Sequence, residues 1–378
     1  MRILALNWRC LRHPEAGGAE VNLFEQARRW VAGGHVVTVF CSDPGRDQAP
    51  ERDECLDGVS IRRRGGRFTV YAWAALFLLC SGRRFDRILD VSNGIPFFTP
   101  ALTRVPSVLL VHHVHGDQWR TEFPAPMALV GRWLEERLVP CLYRSRSVIA
   151  VSQTTQAALL KIGFGPDRLT VVHNGADAPL EGLATPTVTP TVVYLGRLKR
   201  YKRIERLVVA FAALRERFPA ARLEIAGDGD ARPSIEAAID RLGLEGSVTL
   251  HGYIDDRAKS ELLARATVFA TPSMHEGWGV SVIEANAYGC PAVAYNVPGL
   301  SAAIRDDETG MLAEDDHDFQ ESIARILGDQ ALRSRLSASA QTWAARFSWD
   351  ASAVATLAVL AGASVAPSAL ARDAVRSV

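Results

Sequence analysis

Short apolar runs alternate with amphipathic stretches along almost the whole chain, and the alternation stops once and then restarts. Residues 3–6 read as a buried strand and Gly17-Gly18 as a turn. Residues 19–32 read as a helix with Val21, Phe24, Ala27 and Val31 on one face, stopped by Gly33-Gly34. Residues 36–40, 88–91, 107–111, 147–151 and 169–172 repeat the strand pattern. Strands separated by helices predict a parallel sheet covered on both faces. Residues 178–191, APLEGLATPTVTPT, hold three prolines and no period, and read as a linker. Beyond it, 192–195, 222–226, 248–250, 268–270 and 292–294 read as strands, with helices at 204–218, 234–242, 280–288, 318–327, 330–346 and 349–360. The prediction is two Rossmann-like, doubly wound α/β domains, 1–180 and 188–346. A last helix follows within 347–362, then an Ala/Ser-rich flexible tail, 363–378.

A chain of 378 residues is long enough to bury a core in each half. Its net charge of +1 gives no global reason for a nucleic-acid partner. Residues 1–180 carry 22 Lys+Arg against 17 Asp+Glu and the remainder 21 against 25, so the first half is the basic one. The six cysteines (Cys10, Cys41, Cys55, Cys80, Cys141 and Cys290) form no CxxC pair and are expected as free thiols in a reducing compartment. The opening residues lack the apolar core of a secretory signal. The longest apolar run, 71–80, falls far short of the ~20 residues that span a bilayer. The expected location is the cytoplasm.

Four main strings and two weaker ones follow strands and carry polar chemistry. Glu276-Gly277-Trp278-Gly279-Val280 follows a strand and the turn Thr271-Pro272-Ser273, and leads into the helix that holds Glu284. Its glycines let a ligand approach the backbone, the first helical N–H groups suit an anion or sugar hydroxyls, and both carboxylates are acceptors for sugar hydroxyls, including a ribose diol. Gly196-Arg197-Leu198-Lys199-Arg200-Tyr201-Lys202 places two cations, Arg197 and Lys202, where a diphosphate and its growing charge can be held. Gly17-Gly18-Ala19-Glu20 allows close approach to phosphate or sugar but lacks the GxGxxG spacing of a nicotinamide site. His112-His113-Val114-His115 follows a strand; His113 and His115 share a face, yet no cysteine or carboxylate set completes a metal site. Gly227-Asp228-Gly229-Asp230 contains a DxD string that the glycine turn explains by itself, and Gly227 and Asp228 can line a nucleotide site. Gly252-Tyr253-Ile254 can rest against a base. For each string the plain alternative is a tight turn or a solvated charged loop.

In this order, with Asn174-Gly175 and the strand entry Gly289-Cys290-Pro291-Ala292-Val293-Ala294, the strings resemble the retaining glycosyltransferases of family 4, which have the GT-B fold of two Rossmann-like domains facing across a cleft. The resemblance implies transfer of a sugar from a nucleoside diphosphate donor, UDP before GDP, to an acceptor hydroxyl. No metal or other cofactor is implied. Arg197 and Lys202 would bind the diphosphate, Glu276 and the backbone of Gly277, Trp278 and Gly279 the donor sugar, and Glu284 the ribose. Gly17 and Gly18 would touch phosphate or sugar. His112 would lie beside the reacting sugar, with His113 next and His115 and Asn174 in secondary or acceptor roles. The last helix of the family crosses back to the first domain. Trp278 stands where the family more often carries Phe.

Sugars, lipid-linked glycans and small natural products all stand as acceptors. Arg62-Arg63-Arg64, Arg67, the apolar run and Arg83-Arg84 form a basic–apolar–basic block that can lean on the inner face of an anionic membrane; its plain alternative is a buried helix with solvated ends. Rival functions are a sugar-nucleotide epimerase on the same fold and a nucleotide-sugar binding protein without turnover.

Overall fold

The computed structural model describes residues 1–45, 47, 51–183 and 189–363. The centre of the expected linker, 184–188, and the expected tail from 364 lie outside the described residues. The chain packs as two units: Met1–Gly175 with the segment from Trp349 onward, and Ala176–Ser348.

The first unit holds strands β1 (Arg2–Leu6), β2 (Val36–Cys41), β3 (Asp53–Leu56), β4 (Val59–Arg63), β5 (Arg87–Ser92), β6 (Ser107–Val111), β7 (Val148–Ala150) and β8 (Leu169–Val171). Its helices are α1 (Gly18–Ala32), α2 (Val70–Ser81), α3 (Thr99–Leu102), α4 (Trp119–Glu122), α5 (Ala125–Trp133), α6 (Val139–Tyr143) and α7 (Gln153–Lys161). The strands form one sheet in the order β3-β4-β2-β1-β5-β6-β7-β8, parallel except for the β3–β4 hairpin. Ile3 to Leu6 are wholly buried, as expected of a strand covered on both faces.

The second unit holds β9 (Thr191–Leu195), β10 (Arg222–Ala226), β11 (Val248–Gly252), β12 (Val268–Thr271), β13 (Ala292–Tyr295) and β14 (Gly310–Ala313). Between and after them lie α8 (Ile204–Arg217), α9 (Arg232–Arg241), α10 (Asp256–Arg265), α11 (Val280–Ala287), α12 (Leu300–Ala303), α13 (Asp316–Gly328) and α14 (Gln330–Ala344). The sheet is parallel throughout, in the order β11-β10-β9-β12-β13-β14. The last helix, α15 (Trp349–Ala361), belongs to the first unit and packs on α1.

Two expectations need correction. The buried face of α1 is Leu23, Phe24, Ala27 and Trp30, whereas Val21 is exposed and Val31 half-buried. The face is rotated because α15 draws it round: Gln26 Nε2 donates to Ser352 Oγ at 3.0 Å and Trp30 Nε1 to the Ala353 carbonyl at 2.8 Å. Arg63 is no surface cation. It ends β4 with its side chain wholly buried, donating to Glu54 at 2.5 Å, to the Glu51 carbonyl at 2.9 Å and to Cys10 Sγ at 3.2 Å.

In each sheet the chain starts in the middle and builds outward both ways. The strand order therefore reverses between β1 and β5 in the first unit and between β9 and β12 in the second. A crevice opens at such a point beyond the strand C-termini, where ligands of open α/β sheets bind.

Candidate active site

The reversal point of the second unit gathers most of the charged residues singled out from the sequence. The loop after β9 carries Gly196, Arg197 and Lys202; the loop after β12 carries Glu276 to Gly279 and opens α11 with Val280. The loops are tied together: Met274 N–H donates to the Tyr201 carbonyl at 2.9 Å, and the Tyr201 and His275 rings stack with centroids 5.1 Å apart. Lys202 Nζ pairs with Glu276 Oε1, the two side chains being 13% and 18% exposed. Burial disfavours the Lys202 ammonium, but the facing carboxylate outweighs it and holds the lysine above its usual range.

Glu276 is held from behind. Its N–H donates to the Pro298 carbonyl at 3.2 Å, and a Cβ on Gly299, where φ is +87°, would meet the Glu276 carbonyl oxygen at 2.0 Å. Only glycine fits there. Gly279 takes a left-handed conformation, φ +80°, to start α11, while the Trp278 side chain turns inward and packs edge-on to Phe347 with centroids 5.0 Å apart. Trp278 therefore offers its backbone, not its indole, to the loop's open side. About one turn into α11, Glu284 meets a different cation: Lys259 Nζ of α10 lies 3.0 Å away and is shared with Asp256 at 3.1 Å and Asp177 at 3.7 Å. Burial pushes the Glu284 carboxyl up, and Lys259 pulls it back only in part.

The loops after β9, β10 and β11 extend the sheet beyond its strands. Gly196 N–H donates to the Ala226 carbonyl at 3.0 Å, Leu198 N–H to Asp228 at 2.9 Å, and Gly227 N–H to Gly252 at 2.7 Å. A Cβ on Gly227 would lie 1.9 Å from the Gly196 oxygen, and one on Gly229 2.3 Å from the Leu198 oxygen. This close approach accounts for the glycines of the Gly227–Asp230 string. Tyr253, following β11, is 88% exposed beside half-buried Gly252 and Ile254.

In the first unit, Gly17 caps α1 and Gly18 begins it. The buried Glu20 carboxylate accepts the Gly17 N–H at 2.8 Å; the N–H of Gly18, as the first of the helix, has no intrahelical acceptor. His112 follows β6, is 6% exposed, and its Nε2 has no hydrogen-bond partner among the described residues. Burial pushes its imidazole down to about 4, so it is neutral near pH 7. His113 and His115 meet Nε2 to Nε2 at 3.1 Å. Asn174 is 3% exposed, with Oδ1 likewise without a partner. The histidine turn is organised by Glu135, which accepts the N–H groups of His115 and Gly116, both at 2.8 Å, and of the Trp119 indole at 3.0 Å.

No pattern in the sequence marks Lys259 or Glu135, because each is one charge among several: Asp256, Arg257 and Glu261 surround Lys259, and Glu136 and Arg137 follow Glu135. Gly299 does carry a sequence signal, the turn dipeptide Pro298-Gly299 shortly after the strand that ends at Tyr295.

Two α/β units built on mainly parallel sheets, each with polar loops at its reversal point, and a Lys–Glu pair beside a helix start in the second, are the architecture of the GT-B fold. The model for glycosyl transferases group 1 matches residues 181–343 and that for glycosyltransferase family 4 matches 16–179. D-inositol 3-phosphate glycosyltransferase of Corynebacterium efficiens is 30% identical over 369 residues, 89% of this chain and 84% of that protein. The chain belongs to glycosyltransferase family 4. Among solved structures, HepE of Anabaena in complex with UDP and glucose superposes with a TM-score of 0.76 at 20% identity, covering 96% of this chain and 100% of that one. Sucrose-phosphate synthase of Thermosynechococcus elongatus superposes with a TM-score of 0.79 at 20% identity, covering 96% and 98%.

Proposed function

We propose that this glycosyltransferase is retaining and metal-independent, using a UDP-sugar by preference and a GDP-sugar next. The observation that carries the reading is the Lys202–Glu276 pair on loops joined at the second unit's reversal point. Lys202 and Arg197 take the donor diphosphate. Glu276 exchanges its lysine contact for hydroxyls of the donor sugar, with the backbone of Gly277 to Val280 and the loop at Gly196 beside it. Glu284, kept in place by Lys259, takes the ribose diol. The base lies against Gly227, Asp228 and Gly252 to Ile254. In the first unit Gly18, with Gly17, serves the phosphate, neutral His112 hydrogen-bonds near the reacting carbon, and Asn174, His113 and His115 serve the acceptor.

The bond from the anomeric carbon to the β-phosphate oxygen breaks, giving oxocarbenium character at carbon. The acceptor oxygen then bonds on the same face. Its proton passes to the departing phosphate oxygen, whose charge is held by Arg197 and Lys202, the role a divalent ion plays elsewhere. HepE, crystallised with UDP, supports the donor class.

The first unit also reads as touching an anionic membrane surface. The α2 helix is apolar all round yet buries only Val70, Ala74 and Leu78; Trp73, Leu76 and Leu79 are exposed, flanked by Arg62, Arg67, Arg83 and Arg84. No helix of the described residues is long and apolar enough to cross a membrane. Sedimentation with anionic vesicles but not with neutral ones is the expected result.

The donor reading is tested by melting the protein with UDP, GDP, ADP and TDP and their sugars, with and without EDTA. A rise with one nucleotide family, unchanged by EDTA and lost in Arg197→Ala and Glu284→Ala, is expected; no rise with any nucleotide overturns it. Product anomeric configuration by NMR tests retention.

A further inference from the structure

A cavity of about 430 Å³ lies at the reversal point of the first unit, between the start of α2, the helix α5 and the loops after β1, β5 and β6. Its wall is aromatic and aliphatic: Trp8, Phe68, Tyr71, Trp119, Phe123 and Val130. Three polar side chains break this wall. Asn93 and His115 stand at the strand ends, near the expected place of chemistry. The third, Arg67, is exposed, with its guanidinium 5.6 Å from the Trp8 ring centre, 5.4 Å from Phe68 and 5.6 Å from Phe123. Among the described residues no carboxylate pairs with Arg67. A cation left on aromatic faces beside an apolar cavity suits a ligand with an anionic group next to a hydrocarbon chain. The apolar lining continues outward onto Leu129 and Trp133 of α5 and Trp73 of α2, all about half exposed. A chain too long for the cavity thus has an apolar path to the surface.

We propose that this cavity is the acceptor site and that the acceptor is a lipid-linked sugar phosphate or diphosphate. The first part of the hydrocarbon chain fills the cavity, the phosphate meets Arg67, and the accepting hydroxyl lies toward Asn93 and His115. This rests on the glycosyl-transfer reading. A wholly polar acceptor could stack on one or two of the rings but would leave the rest of the apolar wall, Met127, Val130 and Leu134 included, wet.

The test titrates the full chain with decyl phosphate, decanol and inorganic phosphate, each below aggregation, reading the fluorescence of the wall tryptophans. Decyl phosphate is expected to bind at least tenfold more tightly than either of the others, and to lose about fourfold for each methylene removed. Arg67→Gln should reduce decyl phosphate to the level of decanol. Val130→Asp, at a position 58% exposed and so tolerant of the change, should weaken both alkyl ligands. Equal binding of decanol and decyl phosphate, tight binding of inorganic phosphate alone, or no effect of Val130→Asp overturns the assignment. A UDP melting shift measured on the same samples separates the two readings. A normal shift without decyl phosphate binding defeats the cavity proposal alone, whereas alkyl phosphate binding without any nucleotide shift defeats glycosyl transfer. With the nucleotide sugar giving the largest shift, faster transfer to a free aryl glycoside than to a lipid-phosphate-linked sugar in vesicles also overturns it.

Discussion

Lys202 and Glu276 neutralise each other in a partly buried place, so their variants should not act independently. Lys202→Met leaves Glu276 without its cation and removes a phosphate ligand; Glu276→Gln leaves a neutral acceptor beside a cation. Removing one charge of such a pair costs on the order of 1–3 kcal/mol, and removing both returns part of it. Urea unfolding should show Lys202→Met less stable than the double variant Lys202→Met/Glu276→Gln. Activity should follow the opposite order, with kcat in the double variant down by roughly 10² or more because stabilisation of the leaving group is gone. Additive stability losses would mean that the pair is not coupled. His112 makes a prediction of the other kind. Its folded pKa of about 4 lies below the usual value of 6.5, and His173 is depressed to about 4 by burial as well. The unfolded chain therefore binds more protons between those values, and the stability these groups contribute is intact above pH 6.5 and lost as pH falls toward 4. His112→Gln should flatten the fall in melting temperature between pH 6.5 and pH 4.5; an unchanged slope would place the acid sensitivity elsewhere.

At the level of elements, what the sequence made legible follows from period and position. The inner strands β6, β9 and β12 are apolar but for a Ser or Thr at one end and run into His112, Gly196 and Thr271-Pro272, so both the strands and the loops that carry the site could be read together. The β3–β4 hairpin could not: Asp53, Glu54, Arg62 and Arg63 mask its alternation, and it closes through a buried Arg63–Glu54 pair that no single-chain pattern reveals. The strand β14 is four residues long and begins with Gly310, too little for a periodic signal. The site was legible in its carboxylates and cations but not in what aims them, because Lys259, Tyr201 and Pro298-Gly299 act through contacts distant in sequence. That support can be tested through a glycine. Gly227→Ala would place a methyl 1.9 Å from the Gly196 oxygen at φ +131°, and should cost about 2–4 kcal/mol while weakening nucleotide binding by displacing the Arg197 loop. Gly243→Ala, also at positive φ (+64°) but with nothing within 4 Å, should cost only about 1 kcal/mol and leave nucleotide binding unchanged. Equal losses would show that backbone conformation alone, and not the contact between the loops, sets the need for glycine.

For the whole molecule the decisive element is α15, which follows the second unit in sequence and completes the first. It buries Trp349, Ala353, Val359 and Leu360, covers the Gln26 and Trp30 side of α1, and accepts a hydrogen bond from Arg87 Nε to the Leu360 carbonyl at 2.7 Å. The first unit is therefore incomplete until the second has been synthesised, while the second, Ala176–Ser348, contains its own core from β9 to α14. Removing residues 349 onward should unbalance the two. Losing cover for three or four large apolar side chains amounts to roughly 4–6 kcal/mol, and for a unit of this size each kcal/mol moves the melting point by about 2–4 °C. Calorimetry of the truncated chain should show a transition for the first unit lowered by about 10–20 °C. The transition raised by UDP should stay where it is, because every residue assigned to the nucleotide in the second unit remains. If both transitions fall together, α15 supports the molecule as a whole. If neither moves, α1 is stable without its cover, and the buried Gln26–Ser352 and Trp30–Ala353 contacts contribute little.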